Sequence, residues 1–102
     1  MDDLNTVKIG YKKYAIEKPQ ELEVNDMEFF GTYSFMRSKI KIAGKLSQDD
    51  KNHTFIHEML HAICTRFSLK ELSGDEQTVD LLALGVYEAI QDNPHIFLMA
   101  DI

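Results

Sequence analysis

The hydrophobic period of this chain changes once, near Gly44, and that change constrains the fold more than any other feature. Before it, apolar residues alternate in the short runs "VKIGYKKYAIE", "FFGTYSF" and "SKIKIAG", the two-residue period of strands. In the last run Ile40 and Ile42 share one phase and Lys39 and Lys41 the other, so one face is buried and the lysines form its wet side. In the first run Ile9 and Tyr11 lie in one phase and Tyr14 and Ile16 in the other. Both pairs face a core only if a bulge or kink intervenes near Lys12 and Lys13. Lys18-Pro19-Gln20 ends that strand, and "ELEVNDMEF" is open between loop and a short helical turn.

After Gly44 the apolar spacing becomes three or four. Ser47 and Asp50 make a capping box, and Phe55, Ile56, Met59, Leu60, Ile63 and Phe67 predict a helix from about Gln48 to Arg66. Ser73 followed by Glu76 marks a second start, Val79 to Ile90 carry a strongly apolar helix, and Asp92-Asn93-Pro94 stops it after Gln91. The tail "HIFLMADI" is too short for a stable isolated helix and must pack on something. The expectation is a single α+β domain over residues 1–102. A small three-stranded, mostly antiparallel sheet (about 7–44) packs on two main helices (about 48–91), followed by an apolar tail (92–102).

A chain of 102 residues has room for one modest core. Its single cysteine, Cys64, forms no internal disulfide, so a bound metal would be a useful staple. The net charge of −6 and the scattered lysines argue against a nucleic-acid partner; Lys39, Lys41 and Lys45 are the nearest approach to a basic patch. No apolar run reaches the roughly 18 residues of a membrane span. The first residues "MDDLNTVK" are acidic where a secretory signal is basic. The expected location is therefore the cytoplasm.

The chemistry sits in "FIHEMLHAI", residues 55–63. On a helix His57 and His61 lie one turn apart and about 40° round, so their nitrogens converge on one ion at roughly 2.0 to 2.1 Å. Glu58 projects about 100° from His57, placed to reach a water without ligating the ion. That is the arrangement of a zincin helix, in which the carboxylate takes a proton from water activated by the metal for attack on a carbonyl. The plainer reading is an amphipathic helix carrying two polar histidines. This composition yields the pattern H-E-x-x-H by chance only roughly 0.01 times per chain, and the pair lies beside inward-packing residues, where it would need other partners.

A catalytic zinc site needs a third protein ligand and an open fourth position. A metzincin would carry Gly at 64 and His at 67; Cys64 and Phe67 stand there and exclude it. Glu76 is the leading third ligand, with Asp80 on the same helical face to accept the N–H of a ligating imidazole and fix its tautomer. Asp75 competes but lacks a carboxylate four residues on. Glu76 also fits the capping box of Ser73, and one carboxylate cannot serve both roles fully.

His57-Glu58-x-x-His61 followed by Glu76-x-x-x-Asp80 resembles the gluzincins, the thermolysin-like zinc peptidases. The small size and short linker are similar to the minigluzincins and to other small phage and prokaryotic metallopeptidases. The resemblance covers about residues 50–90. It implies a thermolysin-like minimal zincin core, one zinc ion on His57, His61 and Glu76, and Glu58 as general base and acid. It also implies a peptide or protein substrate lying extended along the strand around Gly31 to Phe35, and some small members of the group are latent, with a terminal segment in the cleft. The rival is a zinc-stabilised interaction module of phage origin, catalytically inactive or latent, that binds a protein partner.

The larger gluzincins stabilise the oxyanion with a Tyr or His. Tyr33, on the presumed edge strand, is the candidate here. Tyr87 lies three turns from Glu76, roughly 16 Å along the axis, and reads as packing. His53, one turn before His57, is either a fourth ligand or an exposed first-turn residue. Cys64, about 20° from His57 in projection, offers a His-His-Cys set but reads more simply as a small buried side chain. His95 is either a ligand from the tail or incidental.

Overall fold

A computed structural model describes residues 5–95. The tail beyond His95, with its expected packing and its latent position in the cleft, lies outside the described residues.

The chain opens with a hairpin rather than one kinked strand: β1 (Thr6–Ile9) runs antiparallel to β2 (Lys12–Glu17), Ile9 opposite Lys12. The change of phase read as a bulge near Lys12 is a two-residue turn, Gly10-Tyr11. It starts with φ +64° at Gly10, a conformation that glycine adopts without strain. Once the turn is in place Tyr14 and Ile16 face inward, 2% and 6% exposed.

The undecided "ELEVNDMEF" segment is neither loop nor helical turn. It holds a minimal hairpin of β3 (Glu23–Val24) and β4 (Met27–Glu28), with Asn25 and Asp26 at φ +53° and +64°. Asn and Asp tolerate that left-handed region better than other non-glycine residues, which suits a two-residue hairpin turn. β5 (Gly31–Ser34) and β6 (Lys39–Ile42) form a third hairpin, and β6 then pairs parallel with β2.

The main sheet is therefore mixed and four-stranded, in the order β1-β2-β6-β5, and not three-stranded and mostly antiparallel. Parallel pairing needs a long connection, and residues 18–38 supply one by running through β3, β4 and β5 before β6 returns beside β2. Ile40 and Ile42 are fully buried, as their phase predicts.

α1 (Gln48–Phe67) begins at Ser47, whose Oγ accepts the Asp50 N–H at 3.1 Å, and ends at Ser68 in the left-handed conformation. The connector "FSLKEL" contains a short α2 (Lys70–Gly74), and α3 runs Glu76–Asp92. The sheet packs on one side of α1 and α3 on the other, so α1 is the middle layer and must be apolar over more than one stripe. Its sheet face joins Phe55 and Ile56 to Tyr14, Ile16, Ile40 and Ile42. On its other side Ala83 and Tyr87 of α3 complete the core. Tyr87 is core, as read: it is 9% exposed, and its hydroxyl donates to Asp49 Oδ1 at 2.5 Å, tying α3 to the first turn of α1. Among the described residues, no helix is long and apolar enough to cross a membrane.

Candidate metal centre

Two histidines on α1 meet one glutamate on α3. His57 Nε2 lies 2.9 Å from Glu76 Oε2, and His61 Nε2 lies 2.9 Å from Glu76 Oε1. The rings themselves stand 5.0 Å apart, centroid to centroid. One carboxylate thus bridges both imidazoles, and each ring turns its other nitrogen to a support. His57 Nδ1 faces Asp80 Oδ1 at 3.0 Å, and His61 Nδ1 faces Ser73 Oγ at 2.9 Å.

The start of α3 explains why these groups are available. Its N-cap is Asp75 and not Ser73: Asp75 Oδ1 accepts the Thr78 N–H at 3.1 Å and Oδ2 accepts the Thr78 hydroxyl at 2.7 Å. Those bonds hold the Asp75 carboxyl below the usual carboxylate range and remove it as a competing ligand. The capping conflict at Glu76 disappears with it. Ser73, released from the cap, goes to His61, and Glu76 goes to the histidines.

The donor set suits a metal. One donor atom from each of His57, His61 and Glu76 lies within 4.8 Å of the others. Four-coordinate zinc with bonds of roughly 2.1 Å holds its donors about 3.4 Å apart. The 2.9 Å contacts therefore need to open by only a few tenths of an ångström. Two imidazoles and a carboxylate, with each ring supported from behind, are a recurrent catalytic zinc set.

Both nitrogens of His57 face carboxylates, at 3.0 Å and 2.9 Å. Burial lowers its pKa, but the Asp80 hydrogen bond, the charge of Glu58 and the contact with Glu76 outweigh that, and the net shift is upward. A metal would take the place of the Nε2 proton.

Glu58 stands beside the cluster and not in it. It is 8% exposed, and no hydrogen bond or ion pair engages its carboxyl among the described residues. Burial pushes its pKa up to about 7, His57 opposing and Glu76 reinforcing the shift. A nearby cation would pull it back down. A carboxylate tuned toward neutrality is suited to general base work.

Glu58 packs against Gly31 of β5. A Cβ at position 31 would lie 2.5 Å from Thr54 Cγ2 and 3.2 Å from Glu58 Cγ, so the close approach of strand to helix requires glycine here. Gly31→Ala is expected to cost about 1 to 3 kcal/mol through overpacking. Calorimetry should read this as a melting temperature lower by about 4 to 8 °C per kcal/mol; an unchanged midpoint would show that the contact relaxes freely.

β5 is an edge strand. Ala43 N–H donates to Phe30 C=O at 2.8 Å, so by the alternation of an antiparallel ladder Thr32 also faces β6, while Gly31 and Tyr33 turn their backbone groups to the open edge. The cleft between this edge and the helices is lined by Phe29, Gly31, Tyr33, Glu58, His61 and Glu76, among others.

Tyr33 lines the cleft, but its hydroxyl donates to Thr65 Oγ1 at 2.9 Å and sits 3.3 Å from the Tyr14 hydroxyl. Those bonds hold it toward the C-terminal end of α1. His53 is neither a ligand nor free: its Nε2 contacts Asp80. Cys64 is 4% exposed and outside the donor group, and burial raises its thiol pKa, which keeps it neutral and a poor ligand. His95 is exposed beyond α3 and also outside the group. Ser73 is the functional contact that sequence reasoning missed, although its position three residues before Glu76 had marked it for a cap.

Among known proteins, no family model matches the chain, and no curated protein or solved structure matches it.

Proposed function

We propose that this chain is a zinc-dependent peptidase of the gluzincin type. The observation that carries the reading is the meeting of His57, His61 and Glu76 around one point with the buried, unengaged Glu58 beside it. Zinc, when bound, supplies a Lewis acid that polarises a carbonyl and lowers the pKa of water. Glu58 then takes the proton of the attacking water and delivers it to the leaving amine. Asp80 and Ser73 hold the two imidazoles with Nε2 directed inward. The backbone groups of Gly31 and Tyr33 pair with an extended peptide added to the edge of β5, which sets the scissile bond over Glu58. The substrate class is a peptide or protein segment in extended conformation; the net charge of −6 argues against nucleic acid.

The test is incubation of the zinc-loaded chain with a broad peptide library, read by mass spectrometry with and without chelator. Chelator-sensitive internal cleavage is expected. The engagement of the Tyr33 hydroxyl by Thr65 favours a second reading, a zinc-stabilised binding module that lacks an oxyanion donor. Stoichiometric zinc with no cleavage of any peptide would select it.

A further inference from the structure

We infer that His53 is a positioning residue for the metal centre, acting through Asp80 on His57; this rests on the reading of His57, His61 and Glu76 as zinc ligands. His53, His57 and His61 occupy consecutive turns of α1, but they do not form one ligand set. His53 Nε2 lies 3.2 Å from Asp80 Oδ1 and 3.2 Å from the Asp80 carbonyl oxygen. A carbonyl oxygen only accepts, so His53 carries a proton on Nε2 and donates it there, with Oδ1 in close contact beside it. Asp80 Oδ1 is also the atom 3.0 Å from His57 Nδ1. One carboxylate oxygen therefore bonds one imidazole of α1 and lies within 3.2 Å of a second from the adjacent turn.

Asp80 needs that second hold. Its side chain is 54% exposed, against 23% for His53 and 16% for His57, and an exposed carboxylate held by one bond keeps much of its rotamer freedom. The 3.2 Å contact of His53 Nε2 with Oδ1 favours the rotamer that meets His57. The bond to the carbonyl fixes this turn of α3 against α1, and with it the separation across which Glu76 reaches both rings. His53 thus determines how well His57 is aimed before any cation arrives, the kind of support whose loss weakens metal sites.

The experiment is a competition titration of Zn²⁺ against a chromophoric chelator on the full chain, with melting of the metal-free protein in parallel. His53→Ala should bind Zn²⁺ about tenfold more weakly than wild type. His53→Gln, whose amide nitrogen donates near the position of Nε2, should stay within about threefold of wild type. Metal-free, the Ala variant should melt only a few degrees below the Gln variant, as the loss of one hydrogen bond predicts. Wild-type affinity in His53→Ala, or equal losses in the Ala and Gln variants, overturns the inference. Should His53→Ala fold poorly, the more conservative His53→Asn, too short to reach Asp80, takes its place: it should bind Zn²⁺ more weakly than His53→Gln, and equal binding by the two overturns the inference. If the wild type binds no Zn²⁺, the zinc reading falls and this inference with it, a result distinct from unequal binding among variants.

Discussion

Glu58→Gln is expected to abolish peptide cleavage while leaving zinc in place. Glutamine keeps the size and shape of the side chain and removes its capacity to take a proton, which for a positioned general base is worth about 10² to 10⁴ in rate. Two features make the substitution clean. Glu58 is not among the donors of the cluster, and among the described residues its carboxyl makes no hydrogen bond whose loss would disturb its neighbours. The two readouts are kcat/KM on the best peptide from the library and zinc content after dialysis. A large fall in the first with no change in the second is the expected pattern. Undiminished cleavage would remove Glu58 from the mechanism.

Zinc is expected to raise the melting temperature by roughly 10 to 20 °C. A ligand that binds only the folded state at a hundredfold excess over its Kd adds about 2.7 kcal/mol, and each kcal/mol moves the midpoint of a domain of this size by about 4 to 8 °C. The architecture explains why so small a protein would use the ion in this way. Its only cysteine is unpaired, and α3 meets α1 without touching the sheet, so a bridge from His57 and His61 to Glu76 clamps the outer layer. Differential scanning calorimetry with excess zinc and with chelator measures the shift. Coincident midpoints would show that the three side chains do not hold the ion.

The helical half was the more legible one, because its information is local. Ser47 announces α1 and caps it; the four-residue spacing of His57 and His61 puts both rings on one face; Glu76 and Asp80 repeat that spacing on α3. At the start of α3 two capping patterns overlap, Ser73 with Glu76 and Asp75 with Thr78. Local rules do not rank them. Asp75 wins with both carboxylate oxygens bonded to Thr78, and that choice releases Ser73 for His61. His53 was illegible for a different reason: its partner lies 27 residues away, beyond any local spacing rule. The strand half failed where pairing is non-local. The phase change between Tyr11 and Tyr14 was visible, and Gly10 was the signal for a turn there instead of a bulge. Nothing local to residues 12–17 indicates that they pair parallel with 39–42 across the whole of β3, β4 and β5.

The central claim is that His57, His61 and Glu76 together hold one zinc ion. Elemental analysis of the purified chain, beside a Glu76→Gln variant, tests it most directly. The account predicts one zinc per wild-type chain retained through dialysis, with the metal lost from the variant. A wild-type chain that holds none after exposure to zinc, or a variant that holds it equally well, would contradict it.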